Sequence, residues 1–153
     1  MAGLIEFTTA DLAILQKFLK ERDRVVANSM KRRVRAAAEP VAVAVRASAE
    51  GMGLNRAAGA VKVRTAYGLK TAKVAVTVDR KQAPYARPID KGSKGAAGYN
   101  RHPVFADPSK ERSEWTWVNQ PVRAFFEDGI AVGVPAAEVE LAKVITDIVG
   151  ELA

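Results

Sequence analysis

Val61-Lys62-Val63-Arg64-Thr65-Ala66-Tyr67-Gly68-Leu69-Lys70-Thr71-Ala72-Lys73-Val74-Ala75-Val76-Thr77-Val78 is the stretch from which the rest of the chain can be read. Val61, Val63 and Thr65 alternate with Lys62 and Arg64, the period-two pattern of a strand with one buried face. Val74, Val76 and Val78 repeat the pattern around Ala75 and Thr77. Tyr67-Gly68-Leu69-Lys70 supplies the turn, so the stretch predicts an antiparallel hairpin. The segments on either side carry helical rather than strand periodicity, which makes the fold class α+β.

Upstream, Thr8 or Thr9 can cap a helix whose first turn holds Asp11. Apolar positions then recur at Leu12, Leu15, Leu19, Val26, Met30, Val34, Ala37, Val41 and Val45, one long helical stripe. Pro40 has no amide hydrogen and disfavours helical geometry at Glu39, so a kink or short break is expected there, with helix resuming to about Ala49. Gly51 and Gly53 end it. At ~1.5 Å per residue, helix from Ala10 to Ala49 would run about 60 Å, too long for a domain of this size to cover, which predicts packing against neighbouring subunits.

Downstream, Tyr85 to Lys91 reads as a short helix stopped by Gly92. From Gly92 to Glu114 the chain is rich in Gly, Lys, Arg and Pro and lacks periodicity, which predicts a long basic loop, mobile until it meets a partner. Trp115-Thr116-Trp117-Val118 alternates like a short strand. Pro121 suits the first turn of a helix carrying Phe125, Phe126 and Ile130, and Pro135 the start of a last helix with Val139, Ala142, Ile145, Ile148, Val149 and Leu152 on one stripe.

The chain has 153 residues, the size of one domain, so residues 1–153 are expected to fold as a single unit with 92–114 as its extended loop. Lys and Arg number 24 against 17 Asp and Glu, a net charge of +7. Such a surface attracts anions, whether nucleic acid, acidic membrane or acidic protein, yet charge of this size also serves solubility alone. The absence of cysteine excludes disulfides, thiolate metal sites and cysteine nucleophiles. Met1-Ala2-Gly3-Leu4-Ile5-Glu6-Phe7 does not read as a signal peptide and no apolar run approaches the ~20 residues of a membrane span, so a cytoplasmic product with no membrane partner is expected.

Chemistry finds little footing. His102 is the sole histidine, so a His-based metal cluster cannot form and a catalytic triad would rest on one loop residue. Glu138 and Glu140, two apart on a helix, point in different directions. Gly92-Ser93-Lys94-Gly95 lacks the order of a phosphate loop. No catalytic, cofactor or metal set emerges, and a non-enzymatic protein is expected. Lys31, Arg32, Arg33 and Arg35, with Lys94 and Arg101 in the loop, are candidates to face DNA; the alternative for the helical run is a solvated face opposite Val34 and Ala37. Trp115, Trp117, Phe125 and Phe126 could stack bases, but core or subunit contact fits such residues better. Tyr99, Val104 and Phe105 offer the loop apolar anchors for a protein neighbour.

Ala83-Pro84-Tyr85-Ala86, then Ile89-Asp90-Lys91-Gly92-Ser93, a glycine-rich excursion, and later Pro121-Val122-Arg123-Ala124-Phe125-Phe126, resemble the neck or tail-completion family of long-tailed bacteriophages. His102-Pro103-Val104-Phe105 and the run from Trp117 to Phe126 are similar to the version carried by phages of actinobacteria. The resemblance covers Thr8 to Leu152 in order of elements and Tyr85 to Phe126 in residue detail; here Lys91 stands between the acidic residue and the glycine it usually precedes directly. It implies a structural virion protein in the neck, assembled in the host cytoplasm, that joins the DNA-filled head to the tail tube without catalysis. It also implies a homo-oligomeric ring, of six copies if it matches a sixfold tail tube. The implied partners are other neck and tail proteins (head-completion, tail terminator or tail tube) and non-specific contact with packaged DNA. A tail terminator subunit and a small basic nucleic-acid-binding protein are the alternative readings.

Overall fold

The fold is α+β in a computed structural model of the chain, which describes residues 2–5, 24–67, 72–93, 96–104, 109 and 111–150. The N-terminal stripe divides into α1 (Arg24–Ala37) and α2 (Glu39–Gly51). The break falls at Ala38, just ahead of Pro40, which sits in the first turn of α2 where an amide hydrogen has no intrahelical acceptor. Ala38 keeps near-helical geometry (φ −89°, ψ −5°), so the chain bends rather than turns back. Leu12, Leu15 and Leu19, the expected beginning of this helix, lie outside the described residues. Gly53 at φ 73° closes α2, with the Leu54 amide donating to the Ala49 carbonyl at 2.8 Å, and α3 (Asn55–Gly59) leads into the sheet.

The hairpin forms as its alternation predicts. Strands β2 (Val61–Tyr67) and β3 (Ala72–Val78) pair antiparallel with Val63 opposite Val76. The expected turn residues Gly68, Leu69 and Lys70 lie outside the described residues. Val61, Val63, Val74, Val76 and Val78 are buried, and Lys62 on the other face reaches Asp79 at 2.7 Å. A third strand that periodicity did not announce, β1 (Ala2–Ile5), pairs with the far edge of β3, Gly3 opposite Val76, giving the order β1-β3-β2.

The C-terminal half departs from expectation in two places. The first is the helix: α5 runs unbroken from Phe125 to Gly150, where two helices starting at Pro121 and Pro135 were expected. Pro121 instead ends a strand, and Pro135 lies inside α5 on its exposed side. A proline in a helix interior costs about 3 kcal/mol or more, and packing on both sides of it offsets that cost. Phe125 (0% exposed) and Phe126 (2%) enter the core edge to face at 6.4 Å, and Ala137 and Leu141 are buried beyond the proline.

Between these anchors, Gly129 and Gly133 lie against α2 so closely that a Cβ on Gly129 would fall 2.4 Å from the Val45 Cα, and one on Gly133 2.5 Å from the Val41 Cα. Spaced four apart, the two glycines share a helix face that Ala137 continues. Small residues here let two backbones approach to a distance that side chains forbid. Val41, Ala42, Val45 and Ala49 on α2 are all fully buried, so the core is centred on the α2–α5 crossing and the valine face of the sheet.

The second departure is the stretch from Gly92 to Glu114, which is not irregular throughout. After α4 (Ala86–Lys91), β4 (Gly92–Ser93) pairs with β5 (Ala96–Ala97), and β6 (Tyr99–Val104) pairs with β7 (Thr116–Pro121). A single 3-10 turn, Arg112–Glu114, precedes β7.

Candidate assembly interface

The β6–β7 ribbon carries two aromatic residues that the core leaves out, Tyr99 and Trp117; a third, Tyr85, is exposed just ahead of α4. Its register sets Tyr99 opposite Pro121, Arg101 opposite Asn119 and Pro103 opposite Trp117. Residues directly opposite one another share a face, so these six lie on one side of the ribbon. That side is open: Tyr99 is 49% exposed and Trp117 38%, and Arg101, Asn119 and Pro121 are exposed. Asn100, His102 and Val118 alternate onto the other side and are better covered.

On the open side the cations and indoles stack in series. The Arg101 guanidinium lies 5.1 Å from the Trp117 ring centre, Trp117 lies 6.1 Å from Trp115, and Arg112 lies 5.9 Å from Trp115. Each cation over an indole face contributes about 0.5–1 kcal/mol at an exposed site. The Trp117 Nε1–H donates to the Arg112 carbonyl at 3.3 Å, which fixes the ring's orientation. The strands themselves, residues 99–104 and 116–121, contain no carboxylate.

The base of the ribbon is tied to the body by backbone. The Val122 amide donates to the Gly98 carbonyl at 3.1 Å, the Arg123 amide to Ile89 at 2.8 Å, and the Arg123 guanidinium to the Met52 carbonyl at 3.2 Å. Ser93 accepts from the Arg101 amide at 2.9 Å. Beside this base runs a groove of about 690 Å³ with Leu54, Tyr85, Pro88 and Ile89 on one side and His102 and Gln120 on the other. The His102 Nδ1 is buried there without a hydrogen-bond partner.

Asp90 links the ribbon's base to the start of α5. Its Oδ1 accepts the Phe126 amide at 2.8 Å, a cap supplied from another element to one of the orphan amides of a helix start. The side chain is 3% exposed and Oδ2 has no partner, so burial pushes the carboxyl above the usual carboxylate range despite the Phe126 hydrogen bond and the nearby Lys91. Lys91 itself pairs with Glu127, whose hydrogen bond raises the ammonium pKa.

The residues singled out from sequence are thus sorted into different places. Tyr99, Trp115 and Trp117 come together on the ribbon. Of the two places expected for Phe125 and Phe126, the core or a subunit interface, the structure puts them in the core of their own chain, because the helix they begin packs directly on α2. Val104 lies in β6, while Phe105 and Lys94 lie outside the described residues. The basic run is split by helical geometry: Arg33 pairs with Asp147 of α5 at 2.7 Å, Lys31 is half-buried, and Arg32 and Arg35 are exposed. Arg101 joins the ribbon stack rather than this helix.

Sequence reasoning missed the second bare surface, the outward side of α5, where Val132 is 75% exposed and Val139 56%. Their spacing of seven was visible, but not which side of the helix would face α2. Among the described residues, no three His, Asp or Glu gather as a metal set and no helix is long and apolar enough to cross a membrane. No protein-family model, curated protein or solved structure matches the chain.

Proposed function

We propose that this protein is a non-enzymatic structural subunit of a bacteriophage neck, working as one member of a homo-oligomeric ring between the DNA-filled head and the tail tube. The observation that carries the reading is the ribbon: tryptophans and a tyrosine held outward on a two-stranded arm that is anchored by backbone bonds at its base. Aromatic residues and arginine are enriched where proteins meet proteins. The family resemblance from Tyr85 to Phe126 supplies the particular assembly. Six copies would match a sixfold tube, with head-completion, tail-terminator or tail-tube proteins as neighbours and the virion neck as the location.

The reading is tested by native mass spectrometry and negative-stain microscopy of the purified chain, alone and with tail-tube protein. A closed ring of one stoichiometry supports it. A protein that stays monomeric in both conditions refutes it. The second reading, a small nucleic-acid-binding protein, draws on the exposed Arg32 and Arg35 and on the indoles of the ribbon. It predicts tight binding of free DNA that weakens steeply with salt, whereas a ring subunit holds free DNA only weakly and without sequence preference.

A further inference from the structure

From Gly129 to Ala137, helix α5 is apolar on every side. One side is committed to α2 through Gly129, Gly133, Ala137 and Leu141. The opposite side presents Val132, Pro135, Ala136 and Val139, all exposed. A helix segment that is apolar all round is normally buried all round, and among the described residues nothing covers the outer stripe, Val132 being 75% exposed and Val139 56%. The stripe is also flanked by the carboxylates Asp128 and Glu138, while the helix's other three, Glu127, Glu140 and Asp147, pair with Lys91, Lys143 and Arg33.

The ribbon is its complement in both respects. It offers exposed aromatic area where the stripe offers aliphatic area, and its strands hold Arg101 with no carboxylate where the stripe is flanked by Asp128 and Glu138. The two surfaces share no residue, and both are bare in the same protomer. A contact between different patches on identical subunits is heterologous; it leaves one patch of each kind free at the ends of a chain and closes only as a ring.

We infer that the open side of the β6–β7 ribbon docks on the outer Val132–Val139 stripe of α5 in a second copy of this chain, and that this head-to-tail junction is the repeating contact of the ring. The inference rests on the ring reading above and specifies which surfaces build it. Apolar contact supplies the attraction, and the opposed charge fixes which patch meets which and discourages stripe-to-stripe pairing.

The chain's lack of cysteine makes disulfide trapping a clean test. Full-length Asn119→Cys and Val139→Cys variants place one thiol on each exposed surface. On denaturing, non-reducing gels each variant oxidised alone should run as a single uncross-linked chain; mixed, they should give a one-to-one cross-linked dimer; and a chain carrying both should give a ladder ending in a closed ring. Separately, Val139→Arg should weaken association at least tenfold, with its circular dichroism unchanged because the position is exposed. Homodimers from Val139→Cys alone, formed as fast as the mixed product, would overturn the head-to-tail assignment. So would a wild-type ring that forms without cross-linking the mixed pair, while leaving the ring reading standing. A wild-type chain that is monomeric and does not cross-link overturns both.

Discussion

Replacing Gly129 with alanine tests the close α2–α5 crossing on which the core depends. The new Cβ would sit 2.4 Å from the Val45 Cα, 2.8 Å from its amide nitrogen and 2.9 Å from its Cγ2. Carbon atoms rest comfortably at about 3.5–4.0 Å, so the crossing must open by roughly 1 Å at that point. Overpacking of a core costs about 1–3 kcal/mol, and because the nearest atoms are backbone rather than a rotatable side chain, the upper end applies, about 3 kcal/mol. Removing glycine from a helix interior returns about 1 kcal/mol.

The net expectation is a loss of about 2 kcal/mol, or a fall in Tm of about 4–8 °C at this chain length. Urea titration at one fixed protein concentration reads it as a lower midpoint with an unchanged slope. Gly51→Ala, which meets nothing within 4 Å, is the control and should change stability by no more than about 0.5 kcal/mol. Adding Val45→Ala should not rescue Gly129→Ala, since the closest atoms belong to the backbone. Gly133→Ala combined with Gly129→Ala should cost less than the two singles together, because a crossing already opened accommodates the second methyl. A Gly129→Ala protein more stable than wild type, as an unpacked helical glycine would give, refutes the reasoning.

The aromatic residues should separate into two classes under mutation. Phe125→Ala should lose about 3–5 kcal/mol in denaturant titration as a fully buried ring, while Trp117→Ala should lose less than about half of that and act chiefly on assembly, read by native mass spectrometry. Asp90 should betray its burial through pH. A carboxyl whose pKa is raised in the native state favours unfolding once ionised, so native stability gains from this group as pH falls through the raised native pKa toward the unfolded value. Asp79, lowered mainly by its hydrogen bond from Lys62, acts in the opposite sense and loses its contribution as pH falls through its native pKa. Asp90→Asn keeps an acceptor for the Phe126 amide without the charge; its stability relative to wild type should fall as the pH drops through the raised native pKa toward the unfolded value, and a constant difference across the acid range would count against the buried charge. His102→Ala should leave assembly intact, and its loss in a particle-assembly assay would point to a working role for the unpartnered Nδ1.

What the sequence determined by itself was local. Val61 to Val78 folds as its alternation says because one face of that hairpin is buried, and burial is what writes a period of two into a strand. The bend at Ala38 follows from Pro40 alone, and the end of α2 from Gly51 and Gly53, because backbone chemistry needs no partner to act. The order of helix, hairpin, short helix and C-terminal helix was legible for the same reason.

The tertiary structure decided the rest. The alternation of Trp115 to Val118 showed part of β7, but β6 and the pairing were hidden, because the ribbon is open on one side and only partly covered on the other, and Tyr99 to Val104 carries no clean alternation of apolar and polar residues. Pro135 read as a helix start because proline usually is one; only the packing of Gly129 and Gly133 before it and Ala137 after it carries a single helix through. Nothing in the sequence marks those glycines as a packing surface; only α2 lying against them does. Tryptophan and phenylalanine look alike in a sequence as large apolar residues, yet the fold encloses Phe125 and Phe126 and leaves Trp117 outside. That choice depends on which surfaces other elements reach, and no single segment contains that information.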